Sequence, residues 1–367
     1  MTERALRIGV DGRELLGHVT GVGRYVGEVL RAWVTDAHFP HALVVFTPAA
    51  PPPTLVSQLG SRVVWEVAAG RGGGTIWEQW HLPNAARRHG LDVFFAGAYT
   101  APYRLGCPFV LVIHDVSYFA HPEWFGTREG LRRRWLTRLS AARAHTIVSV
   151  SNFSADETAA YLSVARDRIA IAPGGAPAPR PSDGADGATV LFVGSLFTRR
   201  LIPELIAGFA LAAAEVPAAR LVLVGDNRTH PHIDPRAVAA ERGVRDRVDW
   251  REYVTDTELD ALYASARVFA FLSTYEGFAL TPLEALTRGV PPVLLDTPVA
   301  HEIYQNAALF VSSDPVSIAG ALTSLLRNDE LHRTLVAAGD ALRRQYTWTR
   351  TAATIRTALE QAASHPR

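Results

Sequence analysis

The stretch VFAFLSTYEGFALTPLEALTRGVPPVLLD, residues 268–296, decides the fold class. A continuous apolar run opens it, Gly277 marks a turn, a helical pattern follows, and a second apolar run closes it. Continuous apolar strands of this kind are typical of parallel sheets that are covered on both faces. A strand, a helix and a further strand in this order therefore predict an α/β protein.

Two glutamates, Glu276 and Glu284, lie eight positions apart in this stretch. One interpretation places Glu284 in a capping box, with Thr281 as the N-cap and Pro282 as the first helical residue. The other makes both carboxylates ligands, because a diphosphate at the helix start would bring a ribose and a sugar within their reach. The residues alone leave both interpretations open, and the candidate anion-binding amides are those of Gly277, Phe278, Ala279, Leu280 and Thr281.

The same alternation of apolar runs and helical segments extends along the chain. A segment rich in Pro, Gly, Ala and Asp, residues 173–187, interrupts it and is typical of a hinge linker. We expect two doubly wound, Rossmann-like parallel-sheet domains, residues 1–172 and 188–345, facing a central crevice, with ligands beyond the carboxyl ends of the strands. Strands are predicted at residues 6–10, 42–46, 92–95, 109–113, 146–150, 168–172, 189–194, 220–225, 268–273 and 291–296.

The composition excludes several classes of site. All 37 basic residues among the 367 are arginine, whereas a P-loop and a pyridoxal phosphate or Schiff-base enzyme each need a lysine. The net charge of +1 provides no overall field that would attract nucleic acid or a membrane. Cys107 is the only cysteine, which excludes an internal disulfide and favours a cytoplasmic protein. We expect neither a signal peptide nor a membrane span.

The segment VGSLFTRRLIPELIAGF, residues 193–209, combines a strand end, a short loop and a helix. Arg199 and Arg200 lie in the loop, just after Gly194 and just before the helix. In a chain without lysine, arginine is the side chain that can bind phosphate oxygens. A solvated arginine pair is the alternative, and from this segment alone it is favoured.

The segment HVTGVGRYVGEVLRAW, residues 18–33, contains Gly21 and Gly23 ahead of a helical pattern. Its glycine spacing does not match a dinucleotide-binding fingerprint. The two glycines indicate a close approach of the backbone to a ligand, or else a simple entry into a helix.

The segment VLVIHDVSYFAHPEWF, residues 110–125, places His114 and Asp115 at the end of an apolar strand. A histidine and an aspartate at a strand's carboxyl end are as typical of a functional site as of a structural one.

Two further segments carry weaker signals. The loop THPHIDP, residues 229–235, offers His230, His232 and Asp234 as conceivable metal ligands, and we favour a plain loop. The segment of residues 127–145 is a basic helix with interspersed Leu and Trp, which fits a solvated helix face or a contact with anionic lipid.

Together these segments resemble the retaining glycosyltransferases of family 4, also called glycosyl transferases group 1. The resemblance covers nearly the whole chain, and its most specific part is the pair of glutamates in YEGFALTPLEALTRGVPPVL. It implies the GT-B architecture of two Rossmann-like domains and a C-terminal helix, within residues 346–367, that crosses back to the first domain. The other matching segments are TGVGRYVGEVL, WEQWHLP, VIHDVSYFAHPEWF, VSVSNFSADET and VGSLFTRRLIPELIAGF.

The resemblance also implies roles for the candidate residues. Glu276 would hold the hydroxyls of the donor sugar, Glu284 would accept from the ribose, and His114 would approach the reaction centre. Arg200 stands where the family usually has lysine, with Arg199 beside it, and Ser195 departs from an arginine that is frequent in the family. Further substrate contacts are expected at Gly21, Gly23, Asp115 and Gly194.

The implied activity is retaining transfer of a sugar from a nucleoside-diphosphate sugar to an acceptor hydroxyl, in bacterial cell-envelope polysaccharide or glycoconjugate biosynthesis. The nucleotide sugar is then a substrate, and neither a cofactor nor a metal is expected, because arginines would replace the metal. Glycan, lipid-linked and small-molecule acceptors all remain open, as does a peripheral contact at the inner membrane face through residues 128–143. The alternatives are a nucleotide-sugar epimerase of the same architecture and a noncatalytic sugar-nucleotide-binding protein.

Overall fold

The chain divides into two compact units in a computed structural model that describes residues 4–17, 20–70, 74–178 and 187–364. One unit is Met1–Gly175 together with Trp348–Arg367, and the other is Ala176–Thr347. The predicted linker at 173–187 falls largely on residues 179–186, which lie outside the described residues. Each unit is built on one parallel sheet, so the predicted doubly wound α/β class is confirmed.

The first unit has a seven-stranded sheet in the order β3-β2-β1-β4-β5-β6-β7. Strands β4 and β5 are buried at every position, which explains their uninterrupted apolar sequences. The strands are β1 Arg7–Asp11, β2 Ala42–Thr47, β3 Val63–Val67, β4 Val93–Ala96, β5 Phe109–Ile113, β6 Thr146–Ser149 and β7 Ile169–Ile171. The helices between them are α1 Gly21–Thr35, α2 Pro53–Leu59, α3 Gly74–Ile76, α4 Leu82–Ala86, α5 Ser117–Ala120, α6 Thr127–Arg143 and α7 Asn152–Leu162.

The second unit has a six-stranded sheet in the order β10-β9-β8-β11-β12-β13. The strands are β8 Thr189–Val193, β9 Arg220–Val224, β10 Val248–Arg251, β11 Ala266–Phe271, β12 Pro292–Leu295 and β13 Leu309–Val311. The helices are α8 Ile202–Glu215, α9 Pro235–Glu241, α10 Asp256–Ser265, α11 Leu280–Leu286, α12 Pro298–Tyr304, α13 Pro315–Arg327 and α14 Asp329–Arg343.

The last helix, α15 (Trp348–Ser364), belongs to the first unit. Ile355 and Leu359 of this helix are fully buried, and Trp33 Nε1 of α1 donates to the carbonyl of Ala352 at 3.0 Å. The C-terminal helix is thus part of the core of the first unit.

Three strands, β3, β10 and β13, were not predicted, and each lies at the edge of its sheet. Edge strands cover less apolar surface, so all three include partly or fully exposed positions. The sequence pattern of continuous apolar residues identified the central strands and one edge strand, β7, but missed the other three edges.

Candidate active site

Arg199 and Arg200 lie in a short turn, Thr198–Arg200, just beyond the carboxyl end of β8. Leu201 follows in the left-handed region, at φ 47°, and connects the turn to α8. Gly194, at φ 144°, allows this arrangement, because a Cβ there would lie 2.3 Å from Arg200 Nη1. The end of β8, the turn after it and Gly194 together bring the two guanidinium groups over the end of the sheet.

Glu276 lies between these two arginines, in the loop that follows β11. Its Oε1 accepts from Arg200 Nε and Nη2 at 3.3 Å and from Ser273 Oγ at 2.8 Å. Arg199 Nη2 lies 3.5 Å from the same oxygen. The structure therefore brings together three residues that the sequence nominated as catalytic, and we call Arg199, Arg200 and Glu276 the cationic cluster.

Aromatic rings and carbonyl groups hold the arginines of the cationic cluster in place. Arg199 lies over the ring of Phe197 at 4.5 Å, and Arg200 lies over that of Phe271 at 4.8 Å. Arg200 Nη1 donates to the Ser195 carbonyl at 2.8 Å, and Arg199 Nε donates to the Tyr275 carbonyl at 3.1 Å. The interpretation as a solvated arginine pair is wrong, because both side chains are largely buried.

The charge of the cationic cluster is unbalanced. Its three side chains are 13–17% exposed, and two guanidinium groups face one carboxylate. Burial lowers the pKa of Arg200 below its usual value, although the Glu276 carboxylate opposes this shift. Arginine still stays protonated at neutral pH, so a net positive charge lies at the carboxyl end of β8 and β11. Such a site favours an anionic ligand.

The predicted capping box around Glu284 is wrong. Helix α11 begins at Leu280, its N-cap is Ala279 at φ 64°, and no side chain caps it. Thr281 is the second residue of the helix, so Glu284 lies too far into the helix to serve in the box. A left-handed residue at the loop end advanced the helix start by two positions, which sequence patterns do not reveal.

Glu284 is instead buried beside Tyr304 of α12. Burial raises the pKa of the Tyr304 hydroxyl well above its usual value, and the Glu284 and Glu276 charges add to this shift. Both carboxylates therefore lie near one hydroxyl group, which donates to the carbonyl of Ala279. The two glutamates that are eight positions apart converge on the loop between β11 and α11, where Gly277, Phe278, Ala279, Leu280 and Thr281 also lie.

His114 and Asp115 follow β5 in the first unit. Asp115 accepts from Tyr99 Oη at 3.1 Å and from the Ser117 amide at 2.8 Å, so it fixes the start of α5. His114 Nε2 lies 2.9 Å from the Gly97 carbonyl, and must be the donor because a carbonyl only accepts. Burial lowers the pKa of His114, which favours a neutral ring whose Nδ1 is an acceptor. Their predicted contacts with substrate stay predictions.

Gly21 and Gly23 lie in the first turn of α1, which begins at Gly21 itself. A Cβ at Gly21 would meet nothing within 4 Å, whereas Gly23 is buried. The helix start is thus open at Gly21, and a contact with diphosphate at either glycine stays a prediction. His18 and Val19, which precede them, lie outside the described residues.

The sequence analysis missed one group of charged residues, Asp11, Arg13 and Glu78, which we call the anionic cluster. Arg13 Nη2 donates to Glu78 Oε1 at 2.8 Å, and Arg13 Nε lies 3.3 Å from Asp11 Oδ2. Both carboxylates are buried, and burial raises the pKa of Asp11 to about 6. Glu78 lies in a π-helical turn, Trp77–His81, within the WEQWHLP segment. Such turns are frequent at functional sites, but this turn is visible only in the structure.

The described residues bear on metal ligation and on membrane crossing. No group of three His, Cys, Asp or Glu side chains among these residues could hold a metal ion. In the loop of residues 229–235, Asp234 caps α9 by accepting from the Arg236 amide at 2.9 Å. Among all the residues that the structure describes, no helix is long and apolar enough to cross a membrane.

Comparison with known families covers both halves of the chain. The profile described as Glycosyltransferase Family 4 matches residues 19–178, and that described as Glycosyl transferases group 1 matches residues 181–341. The chain belongs to glycosyltransferase family 4. The resemblance inferred from the paired glutamates and the arginine loop is therefore confirmed.

Curated relatives of this family 4 chain include two mannosyltransferases. It is 30% identical over 213 residues to GDP-mannose:cellobiosyl-diphosphopolyprenol alpha-mannosyltransferase of Xanthomonas oryzae pv. oryzae, over 57% of this chain and 55% of the relative. It is 28% identical over 254 residues to O-antigen chain mannosyltransferase B of Escherichia coli, over 65% and 66% of the two chains. The matches thus span between about half and two thirds of the relatives' lengths.

Solved structures establish the fold of the family 4 chain. The Anabaena HepE protein in complex with UDP-glucose has a TM-score of 0.75 at 17% identity, over 98% of this chain and 100% of that one. WaaG, a glycosyltransferase involved in lipopolysaccharide biosynthesis, has a TM-score of 0.69 at 16% identity, over 98% and 99%. The predicted GT-B fold is confirmed.

Proposed function

We propose that the protein transfers a sugar from a nucleoside-diphosphate sugar to a hydroxyl group of a glycan acceptor, with retention of anomeric configuration. The observation that carries this proposal is the cationic cluster, where two largely buried guanidinium groups face a single carboxylate. A diphosphate would supply the missing negative charge. Negative charge builds on its oxygens as the bond to the sugar breaks, so stabilisation by the two arginines matters most at that step.

The roles proposed for the other candidate residues are those that the family resemblance implies. Glu276 receives hydroxyl groups of the donor sugar, and Glu284 receives the ribose. The amides of Gly277, Phe278, Ala279, Leu280 and Thr281 contribute further donors. In the first unit, His114 contacts the sugar near the reaction centre, while Gly21, Gly23 and Asp115 complete the substrate contacts. Gly194 acts through Arg200, by leaving room for its guanidinium group.

The chemistry is one exchange of bonds at the anomeric carbon. The bond from this carbon to the diphosphate oxygen breaks, and a bond to the acceptor oxygen forms on the same face. The acceptor proton passes to the departing phosphate oxygen. Arg199 and Arg200 stabilise the charge that develops there, so we propose that the reaction needs no divalent metal.

The relatives suggest which substrates to test first. Two of them are named mannosyltransferases, and the name of one specifies GDP-mannose and a cellobiosyl-diphosphopolyprenol. We therefore propose GDP-mannose as the donor, a lipid-linked saccharide as the acceptor, and a role in bacterial cell-envelope glycoconjugate biosynthesis. The single cysteine suits a reducing compartment, so we place the reaction in the cytoplasm.

The deciding experiment incubates purified protein with GDP-mannose or UDP-glucose and a diphosphopolyprenol-linked saccharide. We expect a product one hexose heavier by mass spectrometry, an α-anomeric signal by NMR from an α-linked donor, and unchanged turnover in EDTA. A β-linked product would contradict retention, and loss of turnover in EDTA would contradict metal independence. An epimerised donor without acceptor would identify an epimerase, and donor binding without turnover would identify a binding protein.

The substitution Glu284→Gln tests the ribose contact. The amide keeps the shape of the side chain but replaces one acceptor oxygen with a donor, so we expect donor affinity to fall by roughly tenfold. The capping box that Thr281 and Glu284 could have formed is absent, so loss of that box cannot explain such a fall. Glu215→Gln, an exposed glutamate of the same unit, is the matched control and should bind donor like the wild type. Unchanged affinity in Glu284→Gln excludes the ribose role.

A further inference from the structure

The loop that follows β9 is fixed by hydrogen bonds to the segment that leads from β8 into the cationic cluster. The Leu196 amide donates to the Asp226 carbonyl at 2.8 Å, and the Arg228 amide donates to the Leu196 carbonyl at 3.0 Å. Two residues further along this loop, the His230 amide donates to the Thr198 hydroxyl at 2.9 Å. The backbone around Arg228 is therefore held beside the turn that carries the two arginines of the cluster.

The side chain of Arg228 shares an aromatic neighbour with the cationic cluster. Its guanidinium carbon lies 5.9 Å from the centre of the Phe197 ring, and those of Arg200 and Arg199 lie 5.6 and 4.5 Å from the same centre. Three guanidinium groups around one ring repel each other. The two carboxylates that pair with them supply one negative charge fewer than the three arginines carry.

Arg228 is held through only part of its guanidinium group. Its Nε donates to Asp226 Oδ2 at 2.5 Å. Burial opposes the shift, but hydrogen bonds from the Ser195 hydroxyl and from Arg228 lower the pKa of Asp226, so this carboxylate is charged and anchors the arginine. Among the residues that the structure describes, neither terminal nitrogen of Arg228 has a hydrogen-bond partner. These two nitrogens are therefore available to a ligand.

We propose that Arg228 is a third cation of the site that binds the donor's diphosphate, and that Asp226 positions it. The planar guanidinium group can donate from both terminal nitrogens to phosphate oxygens while its Nε stays on Asp226. This inference rests on the proposed sugar transfer, because the ligand is the diphosphate of its donor. The alternative is that Arg228 only neutralises Asp226, whose charge would otherwise repel a phosphate.

Calorimetry of the full chain with GDP, UDP and inorganic diphosphate tests the contact. We expect Arg228→Gln to weaken the binding of each ligand that the wild type binds by about tenfold. The loss should shrink in about 0.5 M salt, because salt screens a half-exposed charge. Arg251→Gln is the matched control, since Arg251 also pairs with an aspartate two positions earlier, Asp249, at 2.8 Å. It should bind inorganic diphosphate like the wild type.

The substitution Asp226→Asn separates a direct contact from neutralisation of Asp226. In this background there is no carboxylate to neutralise, so a direct contact predicts that Arg228→Gln still weakens binding by about tenfold. A loss that disappears in the Asp226→Asn background overturns the inference, as does an Arg228→Gln variant that binds like the wild type. If Arg228→Gln does not fold, Arg228→Met takes its place and the same outcomes apply.

The same measurements distinguish failure of this inference from failure of the proposed function. If Arg199→Ala/Arg200→Ala loses diphosphate binding while Arg228→Gln keeps it, only the role of Arg228 is wrong. If the wild type binds none of the three ligands, both proposals are wrong. If binding depends on Arg228 but no sugar is transferred from GDP-mannose or UDP-glucose, the diphosphate contact stands and the proposed transfer from these donors is wrong.

Discussion

The two units place opposite charge balances at the carboxyl ends of their strands. In the second unit, the cationic cluster has two guanidinium groups and one carboxylate, Glu276. In the first unit, the anionic cluster has one guanidinium group, that of Arg13, and two carboxylates. Each unit thus buries a charge that its own cluster does not neutralise.

The pKa of the arginine in each cluster shows the effect of the two opposite charge balances. Burial lowers the pKa of both Arg200 and Arg13, but two carboxylates outweigh burial at Arg13 and raise its pKa above the usual value. At Arg200, burial together with the neighbouring Arg199 charge outweighs the attraction of the Glu276 and Asp226 carboxylates, so its pKa stays below the usual value. The anionic cluster therefore stabilises its own cation, whereas the cationic cluster keeps an excess positive charge, for which we propose an external anion as the partner. We assign structure to the first and ligand binding to the second.

The largest effect that tests this assignment is the loss of stability that we expect in the variant Arg13→Met. The substitution leaves two buried carboxylates without a counter-charge, and removing one partner of such a group costs about 3–5 kcal/mol. Urea unfolding followed by tryptophan fluorescence measures this, because only one of the eight tryptophans, Trp250, lies in the second unit. Arg4→Met is the control, since its pair with Asp92 is exposed and should contribute about 1 kcal/mol or less. A loss in Arg13→Met no larger than in this control contradicts a structural role.

The second largest effect is on catalysis, in Arg200→Ala. Loss of a charged group that stabilises the departing diphosphate should lower kcat/KM by about 100- to 1000-fold. Arg200→Lys should recover part of the loss, because it restores the charge without the two-pronged contact to Glu276. The exposed Arg327→Ala serves as the control. Calorimetry with nucleoside diphosphate provides the direct measurement, and unaltered binding in the double variant Arg199→Ala/Arg200→Ala excludes the clamp.

The sequence predicted one of these clusters and not the other, for a physical reason. The cationic cluster comes from two loops, each containing a glycine (Gly194 or Gly277) and each lying between a strand and a helix. The sequence pattern of both segments predicted such a loop. The cationic cluster also joins residues 76 positions apart, but each of its two segments has a ligand-binding pattern of its own. No such local pattern marks Asp11, Arg13 or Glu78, which meet over 65 positions of chain. The start of α11 was misplaced because Ala279, rather than a glycine, takes the left-handed conformation. Central strands could be predicted from burial on both faces, whereas three of the four edge strands could not.

A third effect, smaller than that of Arg13→Met, concerns pH and the anionic cluster. Burial raises the pKa of Asp11 from 3.8 to about 6, so the folded chain binds this proton more tightly than the unfolded chain. Stability from this group is then highest at low pH, falls as pH rises between about 4 and 6, and stays constant above, with a total change of roughly 3 kcal/mol. Asp11→Asn removes the titration. We expect the difference in unfolding free energy between wild type and variant to change with this sign across this window, and a difference independent of pH would contradict the raised pKa.

The smallest effect concerns the geometry of the cationic cluster, in Gly194→Ala. The new Cβ would lie 2.3 Å from Arg200 Nη1, so the guanidinium group must move away from its contacts with Glu276 and Ser195. One weakened charged hydrogen bond corresponds to roughly a tenfold rise in the KM for the donor. Gly289→Ala separates this displacement from backbone strain, because Gly289 also has a positive φ, 73°, but its Cβ would meet nothing within 4 Å. We expect that control to lose stability while keeping its donor KM, since only the residue beside Arg200 changes how the cluster meets the diphosphate.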